Sequence, residues 1–204
     1  MRIGFIGGGN MATALIGSLF GSRHNIDRVK VADPGAKARE YLQKRWPVTC
    51  YEKAADAIKG MDAIVLAIKP QVLPLVLEEI HDIVTDEQLI ISIVAGIPTS
   101  QIAAHLKADP PIVRTMPNTP ALIGLGITGM YARVNCNLAQ RELTQNLMES
   151  AGEVVWLDKG PRYRVVGPPT FITWLSACVK RAPGWVCQQT WLPNLRCTPL
   201  MVQA

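Results

Sequence analysis

Ile3-Gly4-Phe5-Ile6-Gly7-Gly8-Gly9-Asn10-Met11-Ala12 is the stretch that decides the fold. A short run of strand character enters a glycine cluster, and beyond it Met11, Ala14, Leu15, Ile16 and Leu19 keep a helical stripe. Strand, glycine turn and helix open a βαβ unit, and Gly7, Gly9 and Ala12 have the spacing of a dinucleotide-binding turn. Gly7 permits the tight turn, Gly9 has no Cβ to hold the backbone off a pyrophosphate, and Ala12 lets helix and strand pack closely. The helix start then offers free N–H groups and a positive dipole end to phosphate. Ile6, Gly7, Gly8, Gly9, Asn10, Met11 and Ala12 are the first candidate cofactor-binding residues.

The same alternation continues outward. Val29–Ala32, Val48–Tyr51, Ala63–Ile68, Leu89–Val94 and Ile112–Thr115 read as short strands, with Gly124–Tyr131 and Glu153–Leu157 as the last two. Between them lie a polar helix to about Lys44 and a short helix through Ala57, then Gln71–Val84 with Pro74 near its first turn, Thr99–Leu106 and Asn137–Ala151. Continuously apolar strands such as Ala63–Ile68 suit burial on both faces. The pattern predicts an α/β fold: a Rossmann-like, doubly wound, mainly parallel sheet.

Ligands of such sheets gather at the carboxyl ends of the strands. Asp33, 26 residues after Gly7, closes the second strand, where a carboxylate can hold an adenosine ribose and favour NAD. Lys37 and Arg39 follow closely, and either suits the extra phosphate of NADP. Asp33-Pro34-Gly35 is equally a turn former, so the choice between NADPH and NADH stays open. Three stiff loops share this edge: Ala67-Ile68-Lys69-Pro70, Ala95-Gly96-Ile97-Pro98 and Met116-Pro117-Asn118-Thr119-Pro120. From them Ala67, Ile68, Lys69, Pro70, Ala95, Gly96 and Asn118 join the cofactor candidates. Lys69 reads equally as a solvated loop lysine, and the Asn118 amide either holds a nicotinamide carboxamide or braces its own turn. No residue is assigned as catalytic. His24, His81 and His105 have no triad or ligand context, and Glu78-Glu79 reads as a solvated helix face. Hydride transfer asks the protein mainly for positioning.

Composition narrows the class. At 204 residues, 49% hydrophobic and 18% charged, the chain is neither a collagen, a disordered tail nor a coiled-coil rod. Its apolar runs fall short of the roughly 20 residues that span a bilayer. No secretory pattern opens the chain, so a cytoplasmic setting without a membrane partner is expected. The net charge of +5 is uneven: six of the 21 basic residues follow Asp158, whereas all 16 acidic residues lie at or before it. Residues 1–158 therefore have 15 basic against 16 acidic groups, which argues against a nucleic-acid partner. The five cysteines lack metal-site spacing, so no metal is expected. The last 46 residues also hold three of five tryptophans and six of fifteen prolines. The chain divides on this evidence into a dinucleotide-binding domain, 1–158, and an aberrant basic tail, 159–204, expected to be poorly ordered.

Three runs together identify a resemblance. The opening Ile3–Ala12 run, Ala67-Ile68-Lys69-Pro70-Gln71 and Arg114-Thr115-Met116-Pro117-Asn118-Thr119-Pro120-Ala121 resemble pyrroline-5-carboxylate reductase, the last enzyme of proline synthesis. Ile91-Ser92-Ile93-Val94-Ala95-Gly96-Ile97 fits as well, and the resemblance extends from residue 1 to about 158. It implies reduction of a small cyclic imine, 1-pyrroline-5-carboxylate, to L-proline by NADPH or NADH, with the imine protonated at nitrogen. It places Gly7 to Ala12 on the pyrophosphate, Ala67 to Pro70 along the cofactor, and Asn118 in the stiff loop near the nicotinamide end. It also implies a homo-oligomer formed through a helical dimerisation domain. That domain's Ser-Gly-Ser-Gly-Pro-Ala-Tyr-like stretch is missing here, with only Val165–Phe171 and a faint echo at Gly167-Pro168 in its place, so a reading-frame shift near residues 159–167, with a divergent natural terminus as the alternative, and impaired turnover are expected. The alternatives are another dehydrogenase with the same glycine turn and a nucleotide-binding module or relic without catalysis.

Overall fold

The computed structural model describes residues 1–21 and 27–157. These belong to one compact unit; the tail expected over 159–204 and His24 lie outside the described residues. The first half runs β1 (Arg2–Ile6), α1 (Asn10–Gly21), β2 (Arg28–Ala32), α2 (Ala36–Arg45), β3 (Thr49–Tyr51), α3 (Ala54–Ile58), β4 (Ala63–Leu66) and α4 (Leu73–Ile80). It continues through β5 (Leu89–Ser92), α5 (Thr99–Ala104), β6 (Ile112–Met116), a 3-10 turn (Thr119–Ile123), β7 (Gly126–Ala132), α6 (Leu138–Glu149) and β8 (Gly152–Trp156).

The eight strands form one sheet in the order β3-β2-β1-β4-β5-β6-β7-β8. Neighbours from β3 to β6 are parallel, β7 runs antiparallel to β6, and β8 is parallel to β7. This is the expected Rossmann-like, mainly parallel sheet. The chain reverses its direction of travel across the sheet between β1 and β4, which opens a crevice at their carboxyl ends.

Alternation along each strand builds two cores. Ile3 and Phe5, Val29 and Val31, and Ala63 and Val65 face α1, α2 and α6, where Leu15, Ile16, Leu42, Leu147 and Met148 are buried. Their neighbours Ile6, Ile64, Leu66, Ile90 and Ile112 face α3, α4 and α5. Because both faces are covered, the central strands read as unbroken apolar runs.

Several boundaries differ from the sequence expectation, for local reasons. The strand expected over Ala63–Ile68 ends at Leu66, because its neighbour β1 leaves the ladder at Ile6 for the glycine turn. The strand expected over Leu89–Val94 ends at Ser92 for the same reason, one strand further on. The helix expected over Gln71–Val84 shortens to Leu73–Ile80, with Pro74 in its first turn as expected. Val84 stays buried without being helical, so the apolar stripe outlasts the helix that it suggests. Asn137 and Gln140 form a reciprocal capping box at the start of α6.

His81 and His105, read from the sequence as helical, fall just beyond the ends of α4 and α5 and are tied to the main chain. His81 Nδ1 lies 2.7 Å from the His105 carbonyl oxygen, and His105 Nδ1 lies 2.8 Å from that of Gln101. Glu78 and Glu79 lie on a solvated face of α4 as expected, and from it Glu79 Oε1 accepts from the Ala55 N–H at 3.1 Å, tying the start of α3 to α4.

Gln88 has a role that the sequence does not announce. Its Nε2 donates to the carbonyls of Ile58 (3.1 Å) and Met61 (2.9 Å), while its Oε1 accepts from the Thr85 N–H (3.1 Å). One buried side chain thus closes the loops before β4 and β5. Gln88→Leu keeps the volume and strands all three main-chain groups, so a loss of about 2–3 kcal/mol in urea unfolding is expected. Unchanged stability would mean that water replaces the amide at no cost.

Candidate functional site

Beyond β1 the chain turns sharply at Gly7, whose φ is 100°. A Cβ at this position would run into the carbonyl oxygen of Ala67, at the end of β4. Three main-chain bonds fix the turn between the neighbouring strands. The Gly7 N–H donates to the Ala32 carbonyl at 2.7 Å, the Ala67 N–H to that of Ile6 at 2.8 Å, and the Asp33 N–H to that of Tyr51 at 3.0 Å. The hydrogen-bond ladder of α1 then begins with the Thr13 N–H on the Gly9 carbonyl at 2.9 Å. N–H groups of the first helical turn have no intrahelical partner, and that turn contains no acidic side chain.

Gly9 faces open space. A Cβ built there meets nothing within 4 Å, and the residue is exposed. The volume beside the helix start is therefore kept clear, as a phosphate resting on those N–H groups requires. Asn10 is exposed, Met11 half-buried and Ala12 fully buried against the sheet.

Asp33 is placed beside this turn with both oxygens engaged. Its Oδ2 accepts from the Gly8 N–H and its Oδ1 from the Gly35 N–H, each at 2.8 Å. The carboxylate thus braces the glycine turn and its own Asp-Pro-Gly turn together. Arg39 reaches back from α2 and donates through one terminal nitrogen to the carbonyls of Asp33 (2.7 Å) and Pro34 (2.9 Å). Its remaining guanidinium N–H groups have no partner among the described residues. Lys37 is exposed. Burial pushes the Cys50 thiol upward, with Arg39 opposing and Asp33 adding to the shift, so all three groups crowd this corner.

The three loops take their expected places at the carboxyl ends of β4, β5 and β6. Ala67, Ile68 and Pro70 are half-buried, whereas Lys69, Ala95 and Gly96 are exposed. Asn118 braces its own loop: its Oδ1 accepts from the Ile127 N–H at 2.9 Å, tying the segment after β6 to the start of β7. The side-chain NH2 remains available for other contacts. Arg114, two residues before the end of β6, is buried, and desolvation pulls its guanidinium below the ordinary arginine value. Sequence patterning missed this residue because a buried arginine breaks the apolar run by which a strand is found.

Concavities elsewhere do not compete for this role. One between Asp86, Asp109 and Asn135 and another between Arg2, Met61 and Gln88 lie at the opposite, amino-terminal edge of the strands. Among the described residues no group of His, Cys, Asp or Glu could hold a metal ion, and no helix is long and apolar enough to cross a membrane.

Residues 2–96 match the family model described as NADP oxidoreductase, coenzyme F420-dependent. The chain is 40% identical to the pyrroline-5-carboxylate reductase of Pseudomonas aeruginosa over 157 residues, 77% of this chain and 58% of that protein. It is 34% identical to that of Haemophilus influenzae over 184 residues, 87% of this chain and 68% of that one. The solved structure of a pyrroline-5-carboxylate reductase from Coxiella burnetii superposes with a TM-score of 0.77 at 29% identity, covering 86% of this chain and 67% of that one. The chain thus spans well under two thirds of the Pseudomonas relative and about two thirds of the other two.

Proposed function

The chain belongs to the pyrroline-5-carboxylate reductase family, and from that premise we propose that it binds NADPH and acts on 1-pyrroline-5-carboxylate, giving L-proline. The observation that supports this most directly is the cradle at Gly9, open beside the start of α1 and braced by Asp33. Residues 1–158 are the dinucleotide-binding domain in this proposal. The turn from Gly7 to Ala12 holds the pyrophosphate, and the loops at Ala67–Pro70, Ala95-Gly96 and Asn118 line the path of the nicotinamide. When bound, the nicotinamide supplies a hydride to the imine carbon. The chain contributes position: N–H groups aimed at phosphate, a stiff wall of small residues and prolines, and a loop fixed by the Asn118–Ile127 bond. Protonation of the imine nitrogen makes its carbon the better acceptor.

Arg39 favours NADPH over NADH in this proposal. Its guanidinium is already anchored on the Asp33 and Pro34 carbonyls, and its remaining N–H groups suit a 2′-phosphate. Two experiments test the proposal with the full chain. Calorimetry with both cofactors is expected to give NADPH about a tenfold tighter affinity, the worth of one charge-assisted hydrogen bond. Arg39→Ala removes that margin and leaves NADH binding unchanged. Equal affinities in the unmodified chain would hand the choice to Asp33 instead. Absorbance at the reduced-nicotinamide band, with the imine added, then reads turnover. Binding without turnover favours a nucleotide-binding module over an enzyme.

A further inference from the structure

Asp33 follows β2 at the position from which a carboxylate commonly holds an adenosine ribose. Its geometry here suits a different task. Oδ2 accepts from the Gly8 N–H and Oδ1 from the Gly35 N–H, each at 2.8 Å, so both oxygens are already engaged. Gly8 is buried, and a Cβ there would meet Leu42 Cδ1 at 3.0 Å and Asp33 Oδ2 at 3.3 Å. Gly8 thus faces packed atoms where Gly9, one residue on, faces open space. Swinging the carboxylate out to a ribose would strand the buried Gly8 N–H, a cost comparable to the hydrogen bond gained.

The main chain of Asp33 is anchored as well. Its N–H donates to the Tyr51 carbonyl at 3.0 Å, and its own carbonyl accepts from Arg39 at 2.7 Å. The carboxylate also serves two helix starts at once, because Gly35 is the N-cap of α2 and Gly8 stands two residues before Asn10, where α1 begins. A negative charge is favourable at such a place. We propose that Asp33 is a positioning residue for the cofactor and not a ribose ligand, a role that rests on the function proposed above. By holding Gly8 it sets the glycine turn in the shape that receives the pyrophosphate. Its contribution is then common to NADPH and NADH, which share the pyrophosphate and differ only at the ribose 2′ position. The choice between them is left to Arg39.

Asp33→Asn in the full chain is the test. Its single acceptor oxygen can serve one N–H; Gly35, two residues along the chain, keeps it as an ordinary Asx turn, and Gly8 is released. Calorimetry is expected to show NADPH and NADH each bound about tenfold more weakly, the worth of one hydrogen bond, with the ratio between them unchanged. The probe 2′-AMP has the adenosine end without the pyrophosphate, and its affinity, read by NMR line broadening, is expected to stay as it is. A collapse of the whole corner would weaken 2′-AMP too, so this probe separates positioning from mere support. Amide exchange on the isotope-labelled unmodified chain reads the bond itself without any variant: the Gly8 N–H is expected to exchange about tenfold or more slowly than that of exposed Gly9. A loss confined to NADH, a gain for NADPH, a weakened 2′-AMP, or Gly8 exchanging as fast as Gly9 would each overturn the positioning role alone. Failure of both cofactors to bind the unmodified chain would overturn the proposed function, and this role with it.

Discussion

Gly9→Ala is expected to weaken NADPH binding by about 100-fold while leaving the melting temperature of the chain unchanged. The added methyl meets no protein atom within 4 Å, and Gly9 does not occupy the left-handed region, so the fold has no reason to object. What the methyl fills is the space beside the first turn of α1. Keeping the pyrophosphate off two N–H groups forfeits two charge-assisted hydrogen bonds, about 3 kcal/mol together, which is about a 100-fold change in affinity. Calorimetry and a thermal melt on the same preparation check both halves. Unchanged affinity would mean that phosphate does not rest at this helix start, and the cofactor assignment of Gly7 to Ala12 would fall with it.

Gly7→Ala should do the reverse, losing about 3 kcal/mol or more of stability. At φ 100° an L side chain is strained, and its Cβ would collide with the Ala67 carbonyl, a main-chain atom that cannot swing aside. Relief requires β1 and β4 to separate at the centre of the sheet, where Ile6 pairs with Leu66. Urea denaturation is the measurement. On these two predictions, glycines two residues apart divide the labour: one is expected to allow the fold and the other to admit the proposed cofactor. An alanine at Gly7 that unfolds at the unmodified midpoint would show that the turn can be rebuilt locally.

Much of this was legible in the residues. Glycine spacing, apolar strands of four to six residues and helical stripes depend on local chemistry, so β1, α1, β4 and α6 stand where the pattern puts them. Element ends were less legible, because β4 stops where its neighbour departs rather than where its own apolar run does. The antiparallel entry of β7 left no local trace, since Gly126–Ala132 alternates alike in either direction. Site residues divide similarly. The backbone cradle follows from glycine positions, whereas the engagement of Asp33 with Gly8 and of Asn118 with Ile127 joins segments that only the fold brings together. Gln88 and Arg114 escaped because a polar residue in an apolar stretch looks like surface until its surroundings are known.

The position of β1 reverses the order in which the molecule is made. It leaves the ribosome before either partner, yet it lies inside the sheet with β2 on one side and β4 on the other, its Ile3 paired with Val29 and with Ala63. At about 5–20 residues per second, translation of the roughly 60 intervening residues takes about 3–12 s. Through that interval Ile3, Phe5 and Ile6 have no second neighbour, and closing the long loop to β4 is a slow, non-local event. The glycine turn waits as well, since it needs the Ala32 carbonyl on one flank and the Ala67 N–H on the other. Residues 7–12 encode the cradle, but its shape is complete only when residue 67 docks.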